Sequence, residues 1–316
     1  MNPWAGRQRT IHVQEVAMRD GLQSEAGFVP TEQKVELVNR LASSGLQKIE
    51  VSSFVSPRAI PQLADAEAVF DGIARRPGVI YAALVPNVRG MERAISARAD
   101  EVNLVMSASE SHNRANLRMS GAASFEAIKE AASLAAAAGL RVTASLSCSF
   151  GCPMEGEIPA QTVQTWCHRL ISEAGIRSIT LCDTTGMAYP ALVEELVGLV
   201  RQSSPEAEFA LHFHNTRGLG LANVFAGLEA GVVRFDAALA GIGGCPYAPG
   251  ATGNICTEDL IHALKVSGYQ CGVDLDALIG TAKHLEQLLG HITPGQLMKA
   301  GPRLAQRAAA TPKPAV

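Results

Sequence analysis

Short apolar runs alternate along the chain with longer stretches of helical periodicity. The runs cover residues 11–18, 48–52, 79–85, 101–106, 141–147, 178–182, 209–214 and 233–240. Several are rich in β-branched residues and most follow a Gly or Pro, which is the signature of strands. Between them lie amphipathic stretches at 31–44, 61–75, 88–98, 124–138, 160–174, 189–202, 219–230 and 257–266. Two of these open on a capping residue, Thr31 and Ser124, and stop at Gly45 and Gly139. Such alternation demands parallel strands joined by right-handed crossovers. Eight repeats of roughly 30 residues suit an α/β fold of the closed (β/α)8 TIM-barrel type. An open doubly wound sheet would often carry a Gly-rich phosphate loop after its first strand. Here the first run passes instead into Arg19-Asp20-Gly21-Leu22-Gln23. Residues 275–289 predict one extra C-terminal helix. A single catalytic domain is expected over 1–301, and a disordered Ala/Pro-rich tail over 302–316.

Composition narrows the partners. Lys plus Arg number 27 and Asp plus Glu 30, a formal charge of −3 over 316 residues. A mildly acidic chain without a basic block is not expected to bind nucleic acid. Seven scattered cysteines, an odd number, do not make a disulfide framework and fit a reducing cytoplasm. Residues 1–9 hold no apolar signal core, and no run of about 18 apolar residues suggests a membrane partner.

In a barrel of this kind the chemistry gathers at the C-terminal ends of the strands. The first run ends in Arg19-Asp20, the second holds Glu50, the sixth ends in Asp183 and the seventh in His212-Phe213-His214. Residues i and i+2 of a strand face the same way, so His212 and His214 point together into the barrel mouth. With Asp20 as carboxylate and Asn254 as amide they make a mixed N/O set for one divalent cation, Mg or Mn first, with Co or Zn also suited. Two backbone-bonded core histidines are the bland alternative. Arg19 either stabilises a developing anion or forms a structural salt bridge with Asp20 or Glu50. Cys245 lies in a Gly-rich loop, and by local sequence alone reads as passive. Cys148 and Cys152 lack a second pair to complete a zinc site and read as structural.

Together Arg19-Asp20-Gly21-Leu22-Gln23, the segment from Ile49 to Pro57, His212-Phe213-His214 and Gly243-Gly244-Cys245-Pro246-Tyr247 to Asn254 resemble the 3-hydroxy-3-methylglutaryl-CoA lyases. The likeness runs from about Val13 to Leu289, and the Cys245 loop sets it apart from the condensing relatives. The resemblance implies retro-Claisen cleavage of an acyl-CoA to acetyl-CoA and a keto acid, by a homodimer. It places the metal on Asp20, His212, His214 and Asn254. It makes Arg19 and Cys245 catalytic, with His212 the plausible base, and matches Glu50 and Glu258 to acidic active-site residues. Apart from the resemblance, Asp183 at the end of the sixth run is a further catalytic candidate, and Gln23, Asn116, Arg217 and Glu258 are candidate substrate contacts. Arg114, Arg118 and Lys299 are loose candidates for the CoA phosphates. Three positions depart from the lyase pattern: Ser145 and Arg217, where tyrosines are usual, and Arg118, where Asn is usual. Lost tyrosines open space and gained arginines invite another anion, which points to a related substrate with a different or more polar branch; neutral drift at these positions is the equal alternative. A citramalate-type condensing synthase and a non-catalytic barrel are the competing readings.

Overall fold

Near-continuous apolar strands need cover on both faces, and the chain provides it by closing the sheet on itself and wrapping it in helices. The computed structural model describes residues 9–244 and 253–303. Among these, the strands are β1 (His12–Glu15), β2 (Lys48–Ser53), β3 (Ile80–Val85), β4 (Glu101–Ser107), β5 (Arg141–Ser147), β6 (Ser178–Asp183), β7 (Glu208–Phe213) and β8 (Arg234–Ala237). They pair in chain order, in parallel, and β1 meets β8 to close the barrel. The helices are α1 (Thr31–Ser43), α2 (Ala66–Gly72), α3 (Val88–Ser96), α4 (Glu110–Leu117), α5 (Gly121–Ala137), α6 (Ala160–Ser172), α7 (Pro190–Ser203), α8 (Gly220–Glu229), α9 (Thr257–Val266), α10 (Leu275–Leu289) and α11 (Leu297–Ala300). None is long and apolar enough to cross a membrane. The expected C-terminal helix is α10, and the expected tail from residue 304 onward lies outside the described residues.

Register decides which side chains enter the barrel. Asn103 pairs with Leu84 on one side and Thr143 on the other, and Ser145 pairs with Val105 and Thr180. Paired residues of parallel strands face the same way, so these side chains form inward layers. The alternate residue Val85 packs outward, where a Cβ on Gly90 of α3 would meet it at 3.4 Å.

The sequence pattern overruns several element ends. The first run predicts a strand to Met18, but β1 stops at Glu15, whose carboxylate takes the Ala17 N–H at 2.8 Å. The chain then winds into a π-type turn, Ala17–Gly21, in which the N–H groups of Arg19, Asp20 and Gly21 all point at the Val16 carbonyl. That turn lifts Arg19 and Asp20 into the mouth. The last strand likewise ends at Ala237 rather than Ala240 and is followed by a tight turn, Leu239–Gly241. The stretch predicted as one helix over 61–75 is a short turn, Pro61–Leu63, followed by α2. Helix α4 was not predicted; its sequence, Glu-Ser-His-Asn-Arg-Ala-Asn-Leu, is polar all round, and Ser109 caps it through the His112 N–H.

Candidate metal centre and active site

β7 brings His212 to its inward face, and the chain leaves the strand so that His214 forms an isolated bridge with Asn254. The Nε2 atoms of His212 and His214 lie 3.1 Å apart, and stand 3.9 and 3.8 Å from Asp20 Oδ2. Two ligands each about 2.1 Å from one ion stand roughly 3–4 Å apart, so the three fit a single cation. All three are buried. Asn254 donates from Nδ2 to Asp20 Oδ2 at 2.8 Å and to the Ile242 carbonyl at 3.1 Å. Its Oδ1 is left buried without a partner, which a cation would satisfy. The donor set of two imidazoles, a carboxylate and an amide oxygen therefore fits the expected ion.

The surroundings set the protonation states. Asp20 is penalised by burial, yet Arg19, His212 and His214 together hold it well below the usual carboxylate range. His214 is pushed down to about 4 by burial and by its neighbour His212, so it stays neutral, as a ligand must be. His212 is pulled down by burial, but its bond to Asp236 and the charges of Asp20 and Asp236 outweigh that and raise it. Asp236 on β8 accepts from His212 Nδ1 at 3.3 Å, which turns Nε2 toward the cluster. This orienting carboxylate escaped the sequence reading. The pairing of His212 with Asp236 across β7 and β8 follows only from the register.

Arg19 bridges two carboxylates. Its Nε donates to Glu50 Oε2 at 2.5 Å and its Nη1 to Asp20 Oδ1. Glu50 also accepts from Asn103 Nδ2 at 3.0 Å, and Asn103 Oδ1 accepts from Ser145 Oγ at 2.9 Å. Arg19 is thus both the structural ion pair and the cation of the mouth. Gln23 donates to Asp20 Oδ1 at 2.8 Å and fixes the carboxylate's rotation.

Other expected site residues lie further out. Asp183 Oδ1 accepts from the Met187 and Ala188 N–H groups, and its buried Oδ2 has no partner. Burial pushes its carboxyl up to about 6, against the pull of those two N–H groups, His212 and Arg217. Arg217 is exposed and its Nη1 holds the Thr185 and Gly186 carbonyls of the loop after β6. Asn116 is exposed near the end of α4. Glu258 is fully buried behind the mouth, where it accepts from the Ala240 N–H at 3.1 Å. Glu15, another residue the sequence reading missed, accepts from Leu239 N–H and from Thr257 Oγ1, so both acids grip the Leu239–Gly241 turn. Arg114 pairs with Glu110 at 2.7 Å on the surface, and Lys299 donates to the Thr293 carbonyl. Cys148, Cys152, Cys167, Cys182, Cys256 and Cys271 are buried free thiols. Cys245 lies outside the described residues. On either side of it, Gly243 and Gly253 are both at positive φ. A Cβ on Gly243 would stand 2.6 Å from Asn254 Nδ2, and one on Gly253 2.5 Å from the Gly241 carbonyl, so bulk is barred beside the ligand.

Fold and site define a TIM barrel with a buried carboxylate–imidazole metal site at the C-terminal ends of its strands. The HMGL-like family matches residues 10–285, and the chain belongs to that family. It is 42% identical to the hydroxymethylglutaryl-CoA lyase YngG of Bacillus subtilis, over 91% of this chain and 96% of that one. It is 38% identical to a 3-hydroxy-3-isohexenylglutaryl-CoA/hydroxymethylglutaryl-CoA lyase of Pseudomonas aeruginosa, over 92% of this chain and 97% of that one. The structure of an HMG-CoA lyase from Acinetobacter baumannii, in complex with coenzyme A and 3-methylmalate, superposes with a TM-score of 0.91 at 49% identity, covering 95% of this chain and 98% of that one. These relatives make the chain a carbon–carbon lyase and disfavour the condensing and non-catalytic readings.

Proposed function

We propose that this lyase cleaves 3-hydroxy-3-methylglutaryl-CoA, or a close 3-hydroxyacyl-CoA, to acetyl-CoA and a 3-oxo acid, acetoacetate for the methyl substrate. One observation carries the reading: Asp20, His212 and His214 converge in a buried cluster beside Arg19, in a chain of this family. These three and Asn254 would hold one divalent cation, Mg or Mn before Co or Zn. Such an ion, when bound, polarises the substrate's tertiary hydroxyl and an adjacent carboxylate oxygen.

The protein's own groups perform the proton and charge work. His212 has Nδ1 on Asp236 and Nε2 in the cluster, so it is committed to binding. Asp183 Oδ2 is unpaired and its carboxyl sits at about 6, so at neutral pH it is ionised and basic enough to take the hydroxyl proton. The C2–C3 bond then breaks and its electron pair passes into the thioester as an enolate. Arg19, buried and fixed by Glu50, presents its positive charge to that oxyanion with no reorganisation. Cys245 is assigned the return of a proton to the enolate carbon, which balances the step. Gln23 keeps Asp20 in place, and Glu258 acts through the turn it grips rather than on substrate. Arg217 and Asn116 belong to the rim, where they face the polar arm of the acyl-CoA. The resemblance supports a homodimer. A cytoplasmic lyase of rat, 41% identical over 86% of this chain, supports a cytoplasmic setting, while other relatives from chicken and rat are mitochondrial.

The test is acetyl-CoA release from 3-hydroxy-3-methylglutaryl-CoA, with Mg or Mn and with EDTA, for the wild type and His212→Ala. EDTA-sensitive release that the variant loses is the expected result. Release that survives both EDTA and the substitution would overturn the reading.

A further inference from the structure

Glu15 is the last residue of β1, paired with Ile49 of β2 and Ala237 of β8, and it is wholly buried. Its carboxylate takes three donors. Oε1 accepts from the N–H groups of Ala17 and Leu239, at 2.8 and 2.9 Å, and Oε2 accepts from Thr257 Oγ1 at 2.7 Å. Each donor is the first residue of an element beside the metal cluster. Ala17 opens the π-type turn that carries Arg19 and Asp20. Leu239 opens the turn after β8, from which the chain runs through Ile242 to Gly243. Thr257 opens α9, just after Asn254-Ile255-Cys256. Backbone N–H groups at the start of a helical turn have no partner within it, and a carboxylate is the strongest acceptor the chain can offer them.

The two turns also lie against each other. A Cβ on Gly21 would stand 2.5 Å from the Ile242 side chain, and one on Gly243 2.9 Å from the Asp20 carbonyl. Asn254 closes the contact by donating to both Asp20 Oδ2 and the Ile242 carbonyl. Asp20 and Asn254 thus come from opposite parts of the chain, yet the segments that carry them are tied to one carboxylate on a barrel strand. A carboxyl so buried is costly unless both oxygens are hydrogen-bonded, and here both are. We infer that Glu15 is a positioning residue of the metal centre: it sets the separation of Asp20 and Asn254, and through it the affinity for the cation. It acts through the two turns and α9, and is not a member of the ligand cluster. The inference rests on the metal-dependent lyase reading and deepens it.

The experiment measures Mn2+ affinity of the full-length protein, shown to be folded by circular dichroism and held well below its thermal midpoint. Glu15→Leu keeps the bulk and removes all three bonds. Glu15→Gln keeps a carbonyl for the two N–H groups and offers its amide to Thr257 Oγ1. The leucine variant is expected to bind Mn2+ at least tenfold more weakly than the wild type, the range seen when a group supporting a ligand is lost. The glutamine variant is expected to recover most of that loss. Glu101→Leu weakens the fold at the opposite end of the barrel, where it strips Lys48 and Thr143 of their partner, and should keep the wild-type affinity. A loss under tenfold in Glu15→Leu, a glutamine variant no better than the leucine one, or an equal loss in Glu101→Leu would each overturn the inference and leave the lyase reading standing. Should Glu15→Leu fail to fold, Thr257→Val decides: it cuts only the tie to the Asn254 segment, so a loss of threefold or more is expected and a smaller one overturns the inference. A wild type that binds no Mn2+ would instead bring down the metal-dependent reading itself.

Discussion

His212 Nδ1 lies 3.3 Å from Asp236 Oδ2 on the neighbouring strand, both side chains buried inside the barrel. The carboxylate fixes the ring's orientation and tautomer and makes Nε2 a better donor to a cation. Asp236→Asn should therefore weaken divalent-cation affinity by about 10–100-fold while the fold persists. Titration with Mn2+ reads this directly; unchanged affinity would mean that Asp236 is a bystander.

Cation binding should also stabilise the fold, because Asp20, His212, His214 and Asn254 come together only in the native barrel. At about 100 times its dissociation constant, a ligand confined to the native state adds roughly 2.7 kcal/mol. The thermal midpoint should rise with Mn2+ and fall back with EDTA. In His214→Ala it should barely respond to either. A full response in that variant would place the ion elsewhere.

Arg19 and Glu50 form a buried pair, so removing one partner strands the other. Arg19→Met should cost about 3–5 kcal/mol of stability as well as activity. Adding Glu50→Gln should restore much of the stability and none of the activity. Denaturant midpoints and turnover measured on the same three proteins separate the two effects. Recovery of turnover in the double variant would remove Arg19 from the chemistry.

Burial is the main force that pushes the carboxyls of Glu15 and Glu258 up to about 7 from an unfolded value near 4.5. A folded value above the unfolded one means that the native state holds the extra protons. The associated stability is complete below about pH 4.5 and is lost as the pH rises through about 7. Between pH 5 and pH 8 the wild type should therefore lose about 2–3 kcal/mol more than Glu258→Gln, which cannot ionise. The comparison cancels Asp20, whose lowered value acts in the opposite direction. Equal losses in the two proteins would show that Glu258 is already charged.

The barrel and its ligands were legible because both rest on short-range rules. Period-two strands followed by amphipathic helices define the barrel, and the i, i+2 spacing of His212 and His214 defines one face. What stayed hidden depends on pairing between distant strands. Asp236 looks like any polar strand residue until β8 is set beside β7. Glu15 reads as a strand residue, whereas in the fold it ends the strand and holds a turn more than 200 residues away, with |i−j| of 224 to Leu239. The π-type turn that aims Arg19 and Asp20 has no apolar period of its own. Helix α4 escaped because it has no apolar face to betray it.

The hydrogen bond from Asn254 to Asp20 spans 234 residues of chain. A growing polypeptide carries Asp20 long before Asn254, and has no complete ligand set until the segment after β8 has left the ribosome and docked against β1. Ion capture is therefore a late event in biogenesis, and it reports that the circle of strands has shut.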